Sequence, residues 1–264
     1  MTAVPSPADP ADPADPAHPV DPVDPVVGDE ELTDLEGGEP LLLLASASAG
    51  RRSTLARAGI EHVTLPVDLD EEAILAAARA AAGGEGISAA DAVLLLAREK
   101  AQAATARSDG GHVVLGGDSM LEVDGELVGK PLTAERAVER WHAMRGRTGV
   151  LHSGHWLIDD RDEADGGTGA TLGATASCEL HFAQLSDEEI DAYVETGEPL
   201  GVAGGFTIDG LAGPFITSIQ GDPHAVVGLS LPLLRTLLAE IGIGVHELWS
   251  DDAAAGAATP GVPG

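Results

Sequence analysis

Two clusters of residues have types and spacing suited to chemistry. The first is Ser46, Ser48, Arg51 and Arg52, inside the run from Leu41 to Leu55. An apolar stretch long enough for a buried strand breaks there into a loop of small residues. A helix-compatible segment follows at once and stops at Gly59. Free backbone N–H groups at a helix start, hydroxyls and charge-assisted arginine bonds together make a place for phosphate. The run contains neither GxxxxGK nor GxGxxG, so it is not a Walker A loop or a dinucleotide fingerprint. The plain alternative is an ordinary first strand and helix.

The second cluster is Asp118 and Ser119, followed by Asp124-Gly125 and by Gly129-Lys130-Pro131. A buried strand delivers Asp118 at its C-terminal end, where ligand sites of open α/β sheets tend to lie. A carboxylate there can bind a divalent cation or take a proton from water. Asp124-Gly125 is a hairpin signal that folds Lys130 back toward Asp118, where it can meet an anion. The alternative is a turn aspartate beside an exposed lysine. Lys100 lies in a helical segment with Arg98 and Glu99, and the three cannot share one face. It faces a ligand or belongs to a solvated helix surface. Asp70 and Glu71 coordinate Mg²⁺ or simply start a helix, where carboxylates are favourable anyway.

Other candidates carry less. His142, His152 and His155 have no ligand spacing on one element, which argues against a metal set. Cys178 sits in an apparent strand and reads as inert packing. The glycine-rich stretch 198–210, with Gly221-Asp222 and Val227-Gly228-Leu229, suggests close approach of backbone to a ligand or another strand.

The elements that must position these groups interleave. Strand-like runs fall at 41–45, 63–67, 113–115, 149–158, 174–183 and 205–208. Helix-like runs fall at 51–58, 71–82, 89–106, 134–144, 187–195 and 226–241. That order predicts an α/β fold. Ser186 to Glu189 reads as a capping box, and residues 159–170 as a surface loop between hairpin strands.

The whole chain has 264 residues and a net charge of −30. Such a charge argues against nonspecific binding to nucleic acid or an anionic membrane, though not against a small phosphorylated ligand that meets a local basic cluster. Residues 1–39 hold eleven of the 44 acids and no Lys or Arg, and read as a disordered, Pro-rich tail ahead of a domain at 40–250. Residues 251–264 read as a flexible C-terminal tail. One cysteine excludes an internal disulfide. With no charged n-region, apolar h-region or membrane-length apolar run, a soluble cytoplasmic protein is expected.

These clusters, in this order, resemble the Maf family of nucleotide pyrophosphatases over about 41–243. The family's opening L-A-S-x-S-x-x-R appears from Leu44 to Arg51, and its D-E signature at Asp70-Glu71. Its K-A helix appears at Lys100-Ala101, and its G-x-D-[TS] with G-K-P at Gly116 to Ser119 and Gly129 to Pro131. Its G-R turn matches Gly146-Arg147, with Gly149 where a histidine often follows. Its Y-x-x-T-G-E-P series begins at Tyr193 and runs through Ala203-Gly204, Gly210, Gly221-Asp222 and Val227-Gly228-Leu229.

The resemblance implies a fold like that of inosine-triphosphate pyrophosphatases: a mixed twisted sheet, helices on both sides and a cleft between two lobes. It implies hydrolysis of nucleoside triphosphates between the α- and β-phosphates, assisted by Mg²⁺ or Mn²⁺. By the same resemblance Asp118 is the proton acceptor. Ser46, Arg51, Lys100 and Lys130 bind phosphate, and Asp70 and Glu71 neighbour the metal. The family's base preference tracks the positions of Gly50, Ser119 and Asp209. A branch acting on dTTP and UTP carries Arg, Thr and Gln there. A branch acting on 7-methylguanosine triphosphate carries Trp, Gln and Glu. This chain matches neither set. A homodimer is the family expectation. Two other readings stand beside it: a non-catalytic nucleotide-binding regulator of septum formation, and a serine hydrolase built on Gly117-Asp118-Ser119 with Asp222 and His224.

Overall fold

The computed structural model describes residues 41–83 and 86–256. The acidic tail expected at 1–39 and the end of the C-terminal tail lie outside them. In chain order the elements are β1 (Leu42–Ala45), α1 (Ala49–Arg57), β2 (His62–Thr64), α2 (Glu71–Ala82), α3 (Ala89–Thr105), β3 (Val113–Val123), β4 (Glu126–Val128) and α4 (Ala134–Met144). There follow β5 (Thr148–Asp159), β6 (Thr171–Phe182), α5 (Asp187–Glu195), β7 (Ile216–Gln220), α6 (Pro223–Val227), α7 (Leu231–Glu240) and α8 (Asp251–Gly256). The strands form one seven-stranded sheet in the order β2-β1-β3-β5-β6-β7, with β4 paired to β3. β1 runs parallel to β2 and β3, and the remaining pairs are antiparallel. The sheet is therefore mixed, as expected.

The alternation of a strand explains why β1 is apolar throughout. Leu42 and Leu44 pack on one face against Leu234, Leu237 and Leu238 of α7. Leu43 and Ala45 pack on the other with Ala101 and Ala104 of α3. β3 begins the same way: Val113 and Leu115 join the α7 side, and Val114 the α3 side. α3 can lie so close because it meets glycines. A Cβ on Gly116 would stand 2.0 Å from the Ala97 carbonyl oxygen, and one on Gly154 of β5 would stand 2.4 Å from that of Val93. Farther along, Trp141 of α4 is fully buried among Phe182, Tyr193 and Phe215, edge to face. Its Nε1–H donates to the Gly205 carbonyl at 3.0 Å.

Local signals account for most element ends. Ser48, Asp70, Ser88, Thr133, Ser186 and Ser230 each accept a helix N-terminal N–H through the side chain. The Ser186 capping box is complete. Asp124 and Gly125, at φ 52° and 81°, make the β3–β4 turn. The 159–170 loop joins β5 to β6, tied by Asp159 to Arg161 and Thr168.

Three expectations differ from the structure. β3 continues to Val123 instead of stopping near 115, because Gly116 and Gly117 serve close packing and do not end the strand. Residues 205–208 form no strand; Gly204 and Gly205, at φ 73° and 72°, turn the chain into a loop. The helix expected over 226–241 is two helices, α6 and α7. Gly228 at φ 117° ends the first, and Ser230 with Pro232 starts the second. Residues 251–256 form α8, whose first turn is capped by Ser250. β7, with the sequence ITSIQ, has its two isoleucines three residues apart and no period-two pattern, so it is not legible as a strand in the sequence.

Candidate active site

The pleat of β3 sorts its side chains. Even positions face α3 and odd positions face α1. Asp118 therefore turns to α3, where its Oδ1 accepts from Lys100 Nζ at 2.6 Å. Ser119 turns the other way, where its Oγ accepts from Arg51 Nη2 at 2.9 Å. The strand itself has an open window here. β1 pairs with β3 only as far as Gly116, and β4 begins to pair only at Leu121. On that edge no described strand pairs with residues 117–120. The Ser46–Ser48 turn leaves β1 at this same point. The window is thus flanked by a carboxylate and lysine on one side and a guanidinium with hydroxyls on the other.

Arg51 is only 7% exposed. Its Nε–H donates to the Gly228 carbonyl at 2.9 Å and its Nη1 to Ser46 Oγ at 2.9 Å. The bond to Ser119 completes three of its five N–H donors. Burial lowers its pKa, while Asp118 and Glu71 raise it through space, but neither touches it. A buried guanidinium without a directly paired carboxylate is costly, and an anion in the window would offset that cost.

Proton positions follow from the bonds. Ser153 Oγ donates to the Ala225 carbonyl at 2.8 Å, so the 2.8 Å Ser119–Ser153 bond must be donated by Ser119. Hydrogens therefore run one way, from Arg51 through Ser119 and Ser153 to α6. Ser46 Oγ accepts from Arg51 and from the Ser48 N–H at 3.3 Å, which leaves its own O–H free to donate to an anion.

On the other face Lys100 Nζ also reaches Glu71 Oε1 at 2.7 Å. Lys100 is thus turned inward, and Glu71 and Asp118 converge on it. Asp118 is 8% exposed, and its Oδ2 takes no hydrogen bond among the described residues. Asp70 is placed differently from its neighbour. Its Oδ1 accepts from the Ala73 N–H at 2.9 Å, so it caps α2.

The remaining expected residues are spread out. Lys130 follows β4, is exposed and forms no ion pair among the described residues. Asp209 lies in the loop after Phe206 and pairs with Arg57 of α1 at 2.8 Å. Gly50 is packed: a Cβ there would stand 2.8 Å from the Val227 carbonyl oxygen. The histidines do not assemble. His142 approaches Asp187 at 3.6 Å, His152 bonds Ser177 at 2.8 Å, and His155 meets Ser230. Among the described residues no group of three His, Cys, Asp or Glu side chains is arranged to hold a metal ion. Asp222 does pair with His224, at 3.0 Å, but Ser119 Oγ is bound to Arg51 and Ser153 and to no histidine, unlike a serine nucleophile. Cys178 is buried, with its Sγ donating to the Asp222 carbonyl.

Sequence reasoning missed the inner support of this site. His155 is 1% exposed, and its Nε2 accepts the Ser230 N–H at 2.8 Å. Glu198 gathers Tyr193 Oη at 2.9 Å, the Thr207 hydroxyl and the Leu211 N–H at 3.0 Å, and so shapes the loop that carries Asp209. Burial and the Glu198 carboxylate raise the Tyr193 pKa; burial opposes ionisation of Glu198, but its donors Thr207, Leu211 and Tyr193 outweigh it and lower the Glu198 pKa. In the sequence His155 stands out only as one of three histidines without ligand spacing.

No helix among the described residues is long and apolar enough to cross a membrane. Residues 41–241 match the family model described as Maf-like protein. A curated relative from Leifsonia xyli, named nucleoside triphosphate pyrophosphatase, is 52% identical over 79% of this chain and 96% of its own length. Relatives with the same name from Salinispora tropica and Streptomyces coelicolor are 50% and 45% identical, over 82% and 79% of this chain and 91% and 94% of theirs. A solved structure of the Staphylococcus aureus Ham1 protein aligns more loosely. Its TM-score is 0.41 at 14% identity, over 75% of this chain and 98% of that one. On the extent of the family match and the identity of these relatives, the chain belongs to the Maf family.

Proposed function

We propose that this chain hydrolyses nucleoside triphosphates to the monophosphate and pyrophosphate in the window beside β3, with its catalytic domain within 40–250. The observation that carries the reading is the inward Lys100–Asp118 pair at 2.6 Å, opposite the buried guanidinium of Arg51. Attack on a polyphosphate needs neutralised phosphoryl oxygens and an oriented water. Ser46 offers a free O–H and Arg51 two free N–H groups to the phosphates. Lys100 adds a third contact, and Lys130 closes from the β3–β4 hairpin. Asp118 Oδ2 accepts the proton of the attacking water, and Lys100 on Oδ1 keeps that carboxylate oriented. The names of the Maf relatives support the substrate class.

The donor set suits a hard divalent cation that also takes substrate oxygens. The point on which Glu71 and Asp118 converge is Lys100 Nζ, and Asp118 Oδ2 serves the water, which leaves the second carboxylate oxygen of Glu71 for a cation that takes its other ligands from the phosphates. Glu71 would hold Mg²⁺ or Mn²⁺ together with the phosphate oxygens, and the ion would supply charge neutralisation on the phosphates. Asp70 serves it only by starting α2. Base choice falls to Asp209. Ser119 is committed to Arg51 and Ser153, and Gly50 has no room for a side chain. A cytoplasmic place suits a nucleotide substrate and a lone buried thiol, and a homodimer remains part of the same reading.

The test is pyrophosphate release from a panel of ordinary and modified nucleoside triphosphates with Mg²⁺ or Mn²⁺. Release with matching monophosphate is expected, and Asp118→Asn should lower kcat by about 10³-fold. Undiminished turnover in that variant refutes Asp118 as the base. Binding without release across the panel refutes hydrolysis and leaves a nucleotide-binding regulator.

A further inference from the structure

His155 touches none of the groups assigned to phosphate, yet it is bonded to the segment that holds Arg51. It lies on β5, directly across the sheet from Gly117, whose missing Cβ makes room for the Arg51 side chain at 2.9 Å. Its Nε2 accepts the Ser230 N–H at 2.8 Å. A peptide nitrogen can only donate, so Nε2 carries no proton. The proton is therefore on Nδ1, which donates to the Ser153 carbonyl at 3.0 Å. The ring is neutral and held at both nitrogens.

Each end of that ring leads to Arg51. Ser230 is two residues from Gly228, whose carbonyl accepts from Arg51 Nε at 2.9 Å. Gly228 sits at φ 117°, a conformation that the turn between α6 and α7 must keep. Ser153, at the other end, receives the Ser119 hydroxyl that in turn receives Arg51 Nη2. Two of the three bonds that orient the guanidinium thus run back to one imidazole.

We propose that His155 is a positioning residue: as the neutral Nδ1–H tautomer it holds the Gly228–Ser230 turn and Ser153, and through them fixes the Arg51 guanidinium in the phosphate window. The consequence for turnover rests on the pyrophosphatase reading; the positioning itself does not. Burial and the Arg51 charge push the His155 pKa down to about 4, Asp222 being the one acid that opposes this. The ring therefore stays in the accepting form at neutral pH. Protonation would set an Nε2–H against the Ser230 N–H and release the turn.

Two readouts test this. The first is the Arg51 Nε–H signal by NMR in the full chain. In His155→Leu its exchange with solvent should be about tenfold faster than in the wild type. In His155→Gln, whose side-chain oxygen can accept the Ser230 N–H, protection should return. The second is KM for pyrophosphate release. It should rise about tenfold in His155→Leu, equivalent to about 1.4 kcal/mol, with kcat changed far less, and should recover in His155→Gln. In an Arg51→Lys background, which lacks the Nε donor, His155→Leu should add nothing to KM. Unchanged Arg51 protection in a folded His155→Leu protein overturns the proposal. So does a full, independent KM effect in the Arg51→Lys background. If His155→Leu does not fold, failure of His155→Gln to keep wild-type Nε–H protection overturns it. A wild-type protein that releases no pyrophosphate sinks the pyrophosphatase reading alone, because the exchange measurement still decides the positioning.

Discussion

Placing one methyl group on Gly116 would test whether the contact of α3 with β3 sets the reactive pair. The Cβ of Gly116→Ala would lie 2.0 Å from the Ala97 carbonyl oxygen and 2.8 Å from the Ala101 nitrogen, while ordinary contact begins near 3.4 Å. If the strand holds still, α3 must retreat by about 1.4 Å, a distance that follows from those two values. Lys100 lies between Ala97 and Ala101 and moves with them. Overpacking of this kind costs about 1–3 kcal/mol. That leaves a domain of ordinary stability, about 5–15 kcal/mol, still folded. The Lys100–Asp118 bond of 2.6 Å cannot survive the shift without rearrangement of the lysine stem. A displacement of about 1 Å at a reacting group can cost 10²-fold in rate. Gly116→Ala should therefore lower the urea midpoint and reduce kcat for pyrophosphate release by about 10- to 100-fold. Gly201→Ala, where an added Cβ meets nothing within 4 Å, is the control and should leave both within error. A variant that loses stability yet keeps full kcat would refute the idea that this helix–strand contact positions the pair.

Two further outcomes follow from the same geometry. Stability should fall in two adjoining acid windows. The His155 pKa is about 4 in the folded protein against an ordinary 6.5, so the unfolded chain binds the extra proton. Its contribution is complete above pH 6.5 and declines by about 3 kcal/mol as pH falls toward 4. Asp159, held near 2 against 3.8 by Arg161 and Thr168, contributes above pH 3.8 and loses about 2 kcal/mol as pH falls toward 2. Urea unfolding across pH 2–8 reads both, and an unchanged upper slope in His155→Gln would contradict the first. Separately, Gly50→Ala should cost about 1–2 kcal/mol and raise KM, because its Cβ presses on Val227 beside the Gly228 turn. Wild-type values there would mean that α6 yields freely.

What the sequence makes legible is mostly local. The strand, Ser turn and basic helix start of the first cluster are where the run from Leu41 to Leu55 suggests, because buried alternation and a Ser48 cap are written in adjacent residues. The inward Lys100 is one of two readings, and what decides it is the pair Gly116 and Gly154. Small residues let α3 lie on the sheet, but their partners are far away in sequence. His155 reads from sequence only as one of three unconvincing metal ligands. Its real partner, the Ser230 amide, is 75 residues distant and carries no side-chain signature. The split between α6 and α7 is hidden because the apolar pattern runs on through the break, and only Gly228, Ser230 and Pro232 mark it.

The alternation along β3 also limits how the site can change in evolution. Asp118 and Ser119 serve opposite faces only because an even number of steps separates each from the buried residues that anchor the strand. Substitutions can retune either face. A single-residue deletion between Val113 and Asp118 exchanges the faces instead. The carboxylate would then meet Arg51, and the two would neutralise each other as a closed, buried pair with no call for an anion. Lineages of this fold can lengthen the hairpin at Asp124-Gly125 without touching that phase, so length variation belongs there and not in the strand.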